Sequence, residues 1–227
     1  MVKIISVTPT RGDRPVMLKN MMRMMSKQTL GLYGMVVVDD APNVPLDLTY
    51  RYRTGITRGL SEYPDTDLIA FIEDDDWYDP AYLETYANAW VEAGKPLLIG
   101  QAYTHYYHLG LRAIHHQVHP NRSSAFTTFA SPEIFKQIRW PDDQYSFLDL
   151  EIWKQFSGKT ISTGRPLAVG IKGHDEGKVF GGIGHNSKWS AYGKWKDPDM
   201  EWFRSTVDPE SFDFYKKISD EKVGNFL

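Results

Sequence analysis

Hydrophobic positions in the first half of the chain fall into short unbroken runs, with helix-spaced apolar faces between them. Residues 3–8 (KIISVT) form a β-branched run ending in Pro9-Thr10-Arg11-Gly12-Asp13, which predicts a strand leading into a loop. Pro15 suits the first turn of a helix, with Asp13 or Arg14 near its cap. Met17, Leu18, Met21, Met22, Met24 and Met25 then recur at helical spacing, a stripe that predicts a core face rather than an adaptable binding face. Residues 35–38 predict a second strand, ended by Asp39-Asp40-Ala41-Pro42, and residues 67–72 a third, with Glu73-Asp74-Asp75-Asp76 at its carboxyl end. Asp79-Pro80 reads as cap plus first residue of a helix running to about residue 93, with Gly94 closing it and a strand over 96–100 following. The strands are apolar throughout rather than alternating, and helices separate them. That pattern predicts an α/β fold on a mostly parallel sheet.

Past residue 100 the pattern changes. Residues 101–107 and 112–118 flank Leu109-Gly110 and predict a β-hairpin. Ser131-Pro132-Glu133 predicts the start of a short helix, residues 145–156 a second one stopped near Gly158, and residues 167–171 a late strand. Five glycines between 173 and 184 predict a flexible loop, and the tail from Asp197 reads as acidic, aromatic and irregular. With no repeat, low-complexity tract or linker, residues 1–227 read as one domain.

Composition narrows the class. At 227 residues and 41% hydrophobic content the chain can bury a full core. No apolar run approaches the roughly 18 residues that cross a membrane. The N-terminal run is too short for a signal peptide, and cysteine is absent, so a cytoplasmic location is expected. The net charge of −3 is unevenly spread: −4 over residues 1–100, +5 over 101–196 and −4 over 197–227, with all seven histidines in the middle stretch. A basic, histidine-rich middle suits an anionic partner as well as it suits an ordinary solvated surface.

The acids carry most of the chemistry. In open α/β sheets, ligands bind outside the carboxyl ends of the strands. Residues 8–13, Asp39-Asp40 and Glu73–Asp76 all fall there. Four consecutive acids repel one another, and a bound hard cation such as Mg²⁺ or Mn²⁺ relieves that repulsion while holding phosphates. A solvated turn capping the next helix is the simpler alternative, and for Asp79 it suffices.

The segment LIAFIEDDDWYDP (68–80) resembles the strand and DxD element of family 2 inverting glycosyltransferases. The resemblance runs from residue 3 to about residue 176 and implies a GT-A, Rossmann-like fold: a mixed, mostly parallel sheet flanked by helices, with a hairpin on the acceptor side and a C-terminal extension. It implies a nucleotide-sugar-binding half over 1–100 and an acceptor-binding half over 101–227. By the same resemblance Thr8, Pro9, Thr10 and Arg11 hold the nucleoside, and Asp39 and Asp40 contact base or ribose. Asp75 binds the metal, Asp74 or Glu73 reaches the ribose, and Asp76 is a further metal candidate. LDLEIW (148–153) resembles the family's ED motif, which makes Asp149 the general base and Glu151 a supporting group. VGIKGHDEG makes His174 a metal ligand, with Asp175 next in line and His185 a weaker choice.

Two departures bear on specificity. The family's Arg-Asn pair is replaced by Thr57-Arg58-Gly59, which leaves Arg58 as a phosphate candidate. Gln137-Ile138-Arg139-Trp140 is one residue short of the processive box and precedes Asp149, so single additions are expected. The resemblance implies a nucleoside-diphosphate-sugar donor, UDP-sugar favoured, with Mn²⁺ or Mg²⁺, and a hydroxyl acceptor, a glycan favoured over modified DNA. Two rivals stand beside it. A nucleotidyltransferase needs a Gly-rich phosphate loop, for which only Gly12 is present. A carbohydrate- or nucleic-acid-binding module would stack ligands on Tyr103, Tyr106, Tyr107, Trp140 or Trp153.

Overall fold

The computed structural model describes residues 1–40, 47–145, 147–174 and 195–223. Strands β1 (Ile4–Pro9), β2 (Gly34–Val38) and β3 (Leu68–Phe71) run parallel with β1 in the centre. They continue into a six-stranded sheet of order β2-β1-β3-β8-β5-β9, where β5 is Leu98–Gln101, β8 Thr128–Ala130 and β9 Gly158–Ile161. Only β8 runs antiparallel to its neighbours, so three of the five pairings in this sheet are parallel. A second sheet, β11-β7-β6-β10-β4, joins β4 (Trp77–Tyr78), β6 (Tyr103–His108), β7 (Ala113–Val118), β10 (Ala168–Lys172) and β11 (Trp195–Lys196). The sequence-predicted hairpin is the β6–β7 pair, with His105 opposite His116.

Successive side chains of a strand point to opposite faces, so β1 feeds two cores. Ile5 and Val7 pack with Val36, Val38, Tyr52 and Ile56 on one face. Ile4 packs with Met17, Met21, Met24 and Met25 of helix α1 (Pro15–Ser26) on the other. The methionine stripe is therefore core, as its spacing predicts.

Several elements differ from the sequence reading. Helix α2 (Leu48–Glu62) falls where no element is predicted. Its glycines let it lie flat on the sheet: a Cβ at Gly55 would stand 2.5 Å from Val7 Cγ1, and one at Gly59 2.7 Å from Ile5 Cδ1. The tail is not irregular but folds into α5 (Glu201–Thr206) and α6 (Pro209–Lys222). Asp208 caps α6 by accepting the Ser211 N–H at 3.0 Å, with Pro209 in the first turn. Phe212, Tyr215 and Ser219 then form its buried face. Helix α4 (Leu148–Gln155) starts later than the predicted residue 145, which puts Asp149 in its first turn. Helix α3 (Tyr82–Glu92) also starts late, yet Asp79 still accepts the Ala81 N–H at 2.8 Å. Among the described residues no helix is long and apolar enough to cross a membrane.

Candidate functional site

The parallel register aligns the carboxyl ends of β1, β2 and β3, and backbone bonds lock them there. Thr10 N–H donates to Val38 O at 3.0 Å and Ile72 N–H to Val7 O at 3.1 Å. Arg51 of α2, buried and missed by sequence reasoning, fastens two of these ends. Its Nη1 donates to Thr10 O at 2.6 Å and Val38 O at 3.0 Å, while Nε donates to Asp47 at 2.9 Å. Thr8, Pro9 and Thr10 are buried in this seam, whereas Asp39 stands exposed at its mouth. Arg11 lies 3.4 Å from Asp13.

The acid turn leaves β3 at the same edge. Asp74, Asp75 and Asp76 are buried and Glu73 is half-buried. Two cations face the four carboxylates. Arg14, the residue before α1, forks across Asp74 and Asp75, with 2.6 Å to each. Lys172, at the end of β10, lies 3.6 Å from Asp76 and 3.9 Å from Glu73. His174 Nε2 stands 2.8 Å from Asp75 Oδ2. The turn is buttressed from behind: Ile171 N–H donates to Asp76 at 2.7 Å, and Tyr215 of α6 donates to the Asp75 carbonyl at 3.1 Å.

These contacts set the ionisation. Burial and the Asp75 charge outweigh Arg14 and raise Asp74 to about 6. Burial raises Glu73 against the pull of Lys172, with Asp75 and Asp149 adding to the rise. It also raises Asp76. For Asp75, burial is outweighed by Arg14, Lys172 and His174, which hold it well below the carboxylate range. For Lys172, burial is outweighed by Asp76, Asp75 and Glu73, so it stays protonated.

The donor set suits a hard divalent cation. One oxygen each from Glu73, Asp75 and Asp76 lies within 4.8 Å of the others. Asp76 Oδ2 is buried with no hydrogen-bond partner among the described residues, which is costly unless something positive meets it. Burial and mutual repulsion raise Glu73, Asp74 and Asp76, and a divalent ion bound among them would favour their ionised forms.

Asp149 comes from the other half of the chain, and its charge adds to the rise of Glu73. Its side chain is 13% exposed and accepts from Arg122 Nη1 at 3.0 Å. Burial outweighs that cation and raises Asp149 to about 6. Glu151 is half-buried and pairs with Lys154 at 3.6 Å rather than with the acids. Tyr106 and Lys172 lie nearby, the ammonium 6.0 Å from the ring centre.

Not every candidate joins this cluster. Arg58 pairs with Asp40 at 2.7 Å on the exposed side of α2. Of the stacking candidates, Tyr107 and Trp153 are buried, Tyr106 and Trp140 are half-buried and Tyr103 is exposed. Asp175, His185 and most of the glycine-rich stretch lie outside the described residues. Arg14, Lys172, Arg51 and Arg122 carry no local motif; an arginine beside a helix-starting proline is the sole cue to Arg14.

No protein-family model matches the sequence, and no curated protein matches it. Solved structures match it in shape. S. aureus TarS 1–349 in complex with UDP-GlcNAc is 11% identical at TM-score 0.50, covering 79% of this chain and 60% of that one. The same fragment in complex with UDP is 13% identical at TM-score 0.48, covering 76% and 62%. A197 from STIV is 16% identical at TM-score 0.46, covering 68% and 77%. This chain thus spans about three fifths of the TarS fragment. The likeness is one of fold: the chain has a GT-A-like glycosyltransferase fold, a mixed sheet flanked by helices.

Proposed function

We propose that this chain is an inverting glycosyltransferase that moves one sugar per encounter from a nucleoside-diphosphate sugar, UDP-sugar favoured, to an acceptor hydroxyl, a glycan favoured. The observation that carries the reading is electrostatic. Asp149, 13% exposed and paired with Arg122 at 3.0 Å, is raised by burial to about 6, and its charge adds to the rise of Glu73 in the acid turn, where oxygens of Glu73, Asp75 and Asp76 cluster within 4.8 Å. A base poised near neutrality beside a cation-suited acid cluster is what hydroxyl attack on a diphosphate-activated sugar requires.

Asp75 would hold Mn²⁺ or Mg²⁺ with Asp76 and Glu73, and His174 at 2.8 Å from Asp75 would complete the shell. Bound there, the ion supplies charge for the leaving diphosphate. The chain's own residues do the rest. The seam of Thr8, Pro9, Thr10 and Arg11, with Asp39 at its mouth, receives the nucleoside, and Asp74 offers an acceptor to the ribose. Asp149 takes the proton of the acceptor hydroxyl as that oxygen bonds to the anomeric carbon and the bond from that carbon to the diphosphate breaks. Arg122 keeps Asp149 ionised between turnovers.

A screen of nucleotide sugars with Mn²⁺ or with EDTA tests this reading, scored by released nucleoside diphosphate and thermal shift. One donor that stabilises the protein and is slowly hydrolysed, both only with metal, is expected. No response to any donor would refute it and favour a binding module.

A further inference from the structure

Arg14 and Lys172 both face the acid turn, and Arg14 is the one seated on Asp75. Arg14 places one guanidinium nitrogen on each of two adjacent buried carboxylates, two charge-assisted bonds from one side chain. The guanidinium thus bridges two carboxylates with one bond to each, and Nη1 is 2.6 Å from Asp75 Oδ2 and 3.4 Å from His174 Nε2. Asp75 is both the partner of Arg14 and one of the three acids whose oxygens cluster within 4.8 Å. Arginine and a bound ion therefore compete for the same carboxylate. A guanidinium cannot lose its proton to make way, so its charge opposes an ion there until it moves. Its anchor allows that: Arg14 sits in the loop between β1 and α1, its side chain 16% exposed at the strand ends where the diphosphate is expected. An arginine released from carboxylates beside a diphosphate meets an equally good forked acceptor.

We propose that Arg14 is an exchangeable counter-cation: it neutralises Asp74 and Asp75, gives Asp75 up to the divalent ion, and then binds the donor's diphosphate. The proposal rests on the donor-and-cation reading of the site. It makes ion and nucleotide binding cooperative, because the ion must displace Arg14 and the nucleotide offers it a new partner. Ion entry without nucleotide is thereby opposed.

The test uses two probes. Mn²⁺ alone is titrated with the free-ion signal read by electron paramagnetic resonance, and UDP is titrated by calorimetry at saturating Mn²⁺. Losing a charge-assisted pair is worth about tenfold or more in an equilibrium, so Arg14→Gln should bind Mn²⁺ alone about tenfold tighter than wild type. The same variant should bind UDP about tenfold more weakly. Arg14→Lys keeps the charge without the fork and should fall between on both readings, and it serves if the Gln variant does not fold. Unchanged or weaker Mn²⁺ binding in the arginine variants, or unchanged UDP binding, overturns the proposal. Asp75→Asn separates the two levels. If it abolishes Mn²⁺ binding while the Arg14 variants match wild type, only the exchange is wrong. If it binds Mn²⁺ like wild type, the cation reading of the acid turn falls and the exchange with it.

Discussion

Arg122 donates to Asp149 across 3.0 Å, from a position 27 residues earlier in the chain, and is the one cation paired with that carboxylate among the described residues. Burial raises Asp149 and Arg122 holds the rise in check at about 6. The pair therefore sets the pH at which the proposed base is ionised. Transfer, followed as kcat/KM against pH, should rise through an acid limb near 6. Arg122→Ala removes the restraining cation, so the limb should move to higher pH. A limb that stays in place would show that Asp149 is not the titrating group.

Asp149→Asn keeps the shape of the side chain and removes its basicity. General-base catalysis contributes about 10²–10⁴-fold, so transfer should fall by that order while UDP-sugar affinity stays within a factor of about two. Retained transfer in a purified, folded variant would remove Asp149 from the mechanism.

Arg51→Met should destabilise the protein by about 3 kcal/mol, because it strands buried Asp47 and unfastens the carbonyls of Thr10 and Val38. Chemical denaturation measures it, and the seam it clamps should bind UDP less tightly. A loss of stability with UDP affinity intact would show that the seam does not hold the nucleoside.

Gly55→Ala places a methyl 2.5 Å from Val7 Cγ1 and 2.9 Å from Val38 Cγ2. Neither β-branched chain can swing aside, so α2 must lift from the sheet, at a cost of about 2 kcal/mol. Thermal melting should drop by roughly 4–8 °C. An unchanged melting temperature would mean the helix is not seated through this contact.

The strand ends and their acids were legible because both are local signals: an apolar run, a turn and a block of carboxylates. The LDLEIW segment points to Asp149 as a candidate, and the structure adds the burial that raises it. The cations were not legible. Arg14 meets Asp75 across 61 residues and His174 across 160, and no local pattern marks a partner that distant. Helix α2 was hidden because Gly55 and Gly59, poor helix formers in isolation, are present for close packing on β1 and β2. The tail reads as irregular because Pro198, Asp208-Pro209 and scattered acids interrupt its apolar and aromatic positions. Trp77 and Asp75 give α6 its place, through the Trp77 Nε1–Asp208 bond at 3.1 Å and the Tyr215 bond to the acid turn.

The proposed role of the acid turn is to hold a nucleoside diphosphate through a divalent cation. Calorimetric titration of UDP into the protein, with Mn²⁺ and then with EDTA, checks this. Binding that appears only with Mn²⁺ and is lost in Asp75→Asn is the predicted result. Equal binding with EDTA, or none under either condition, would contradict it.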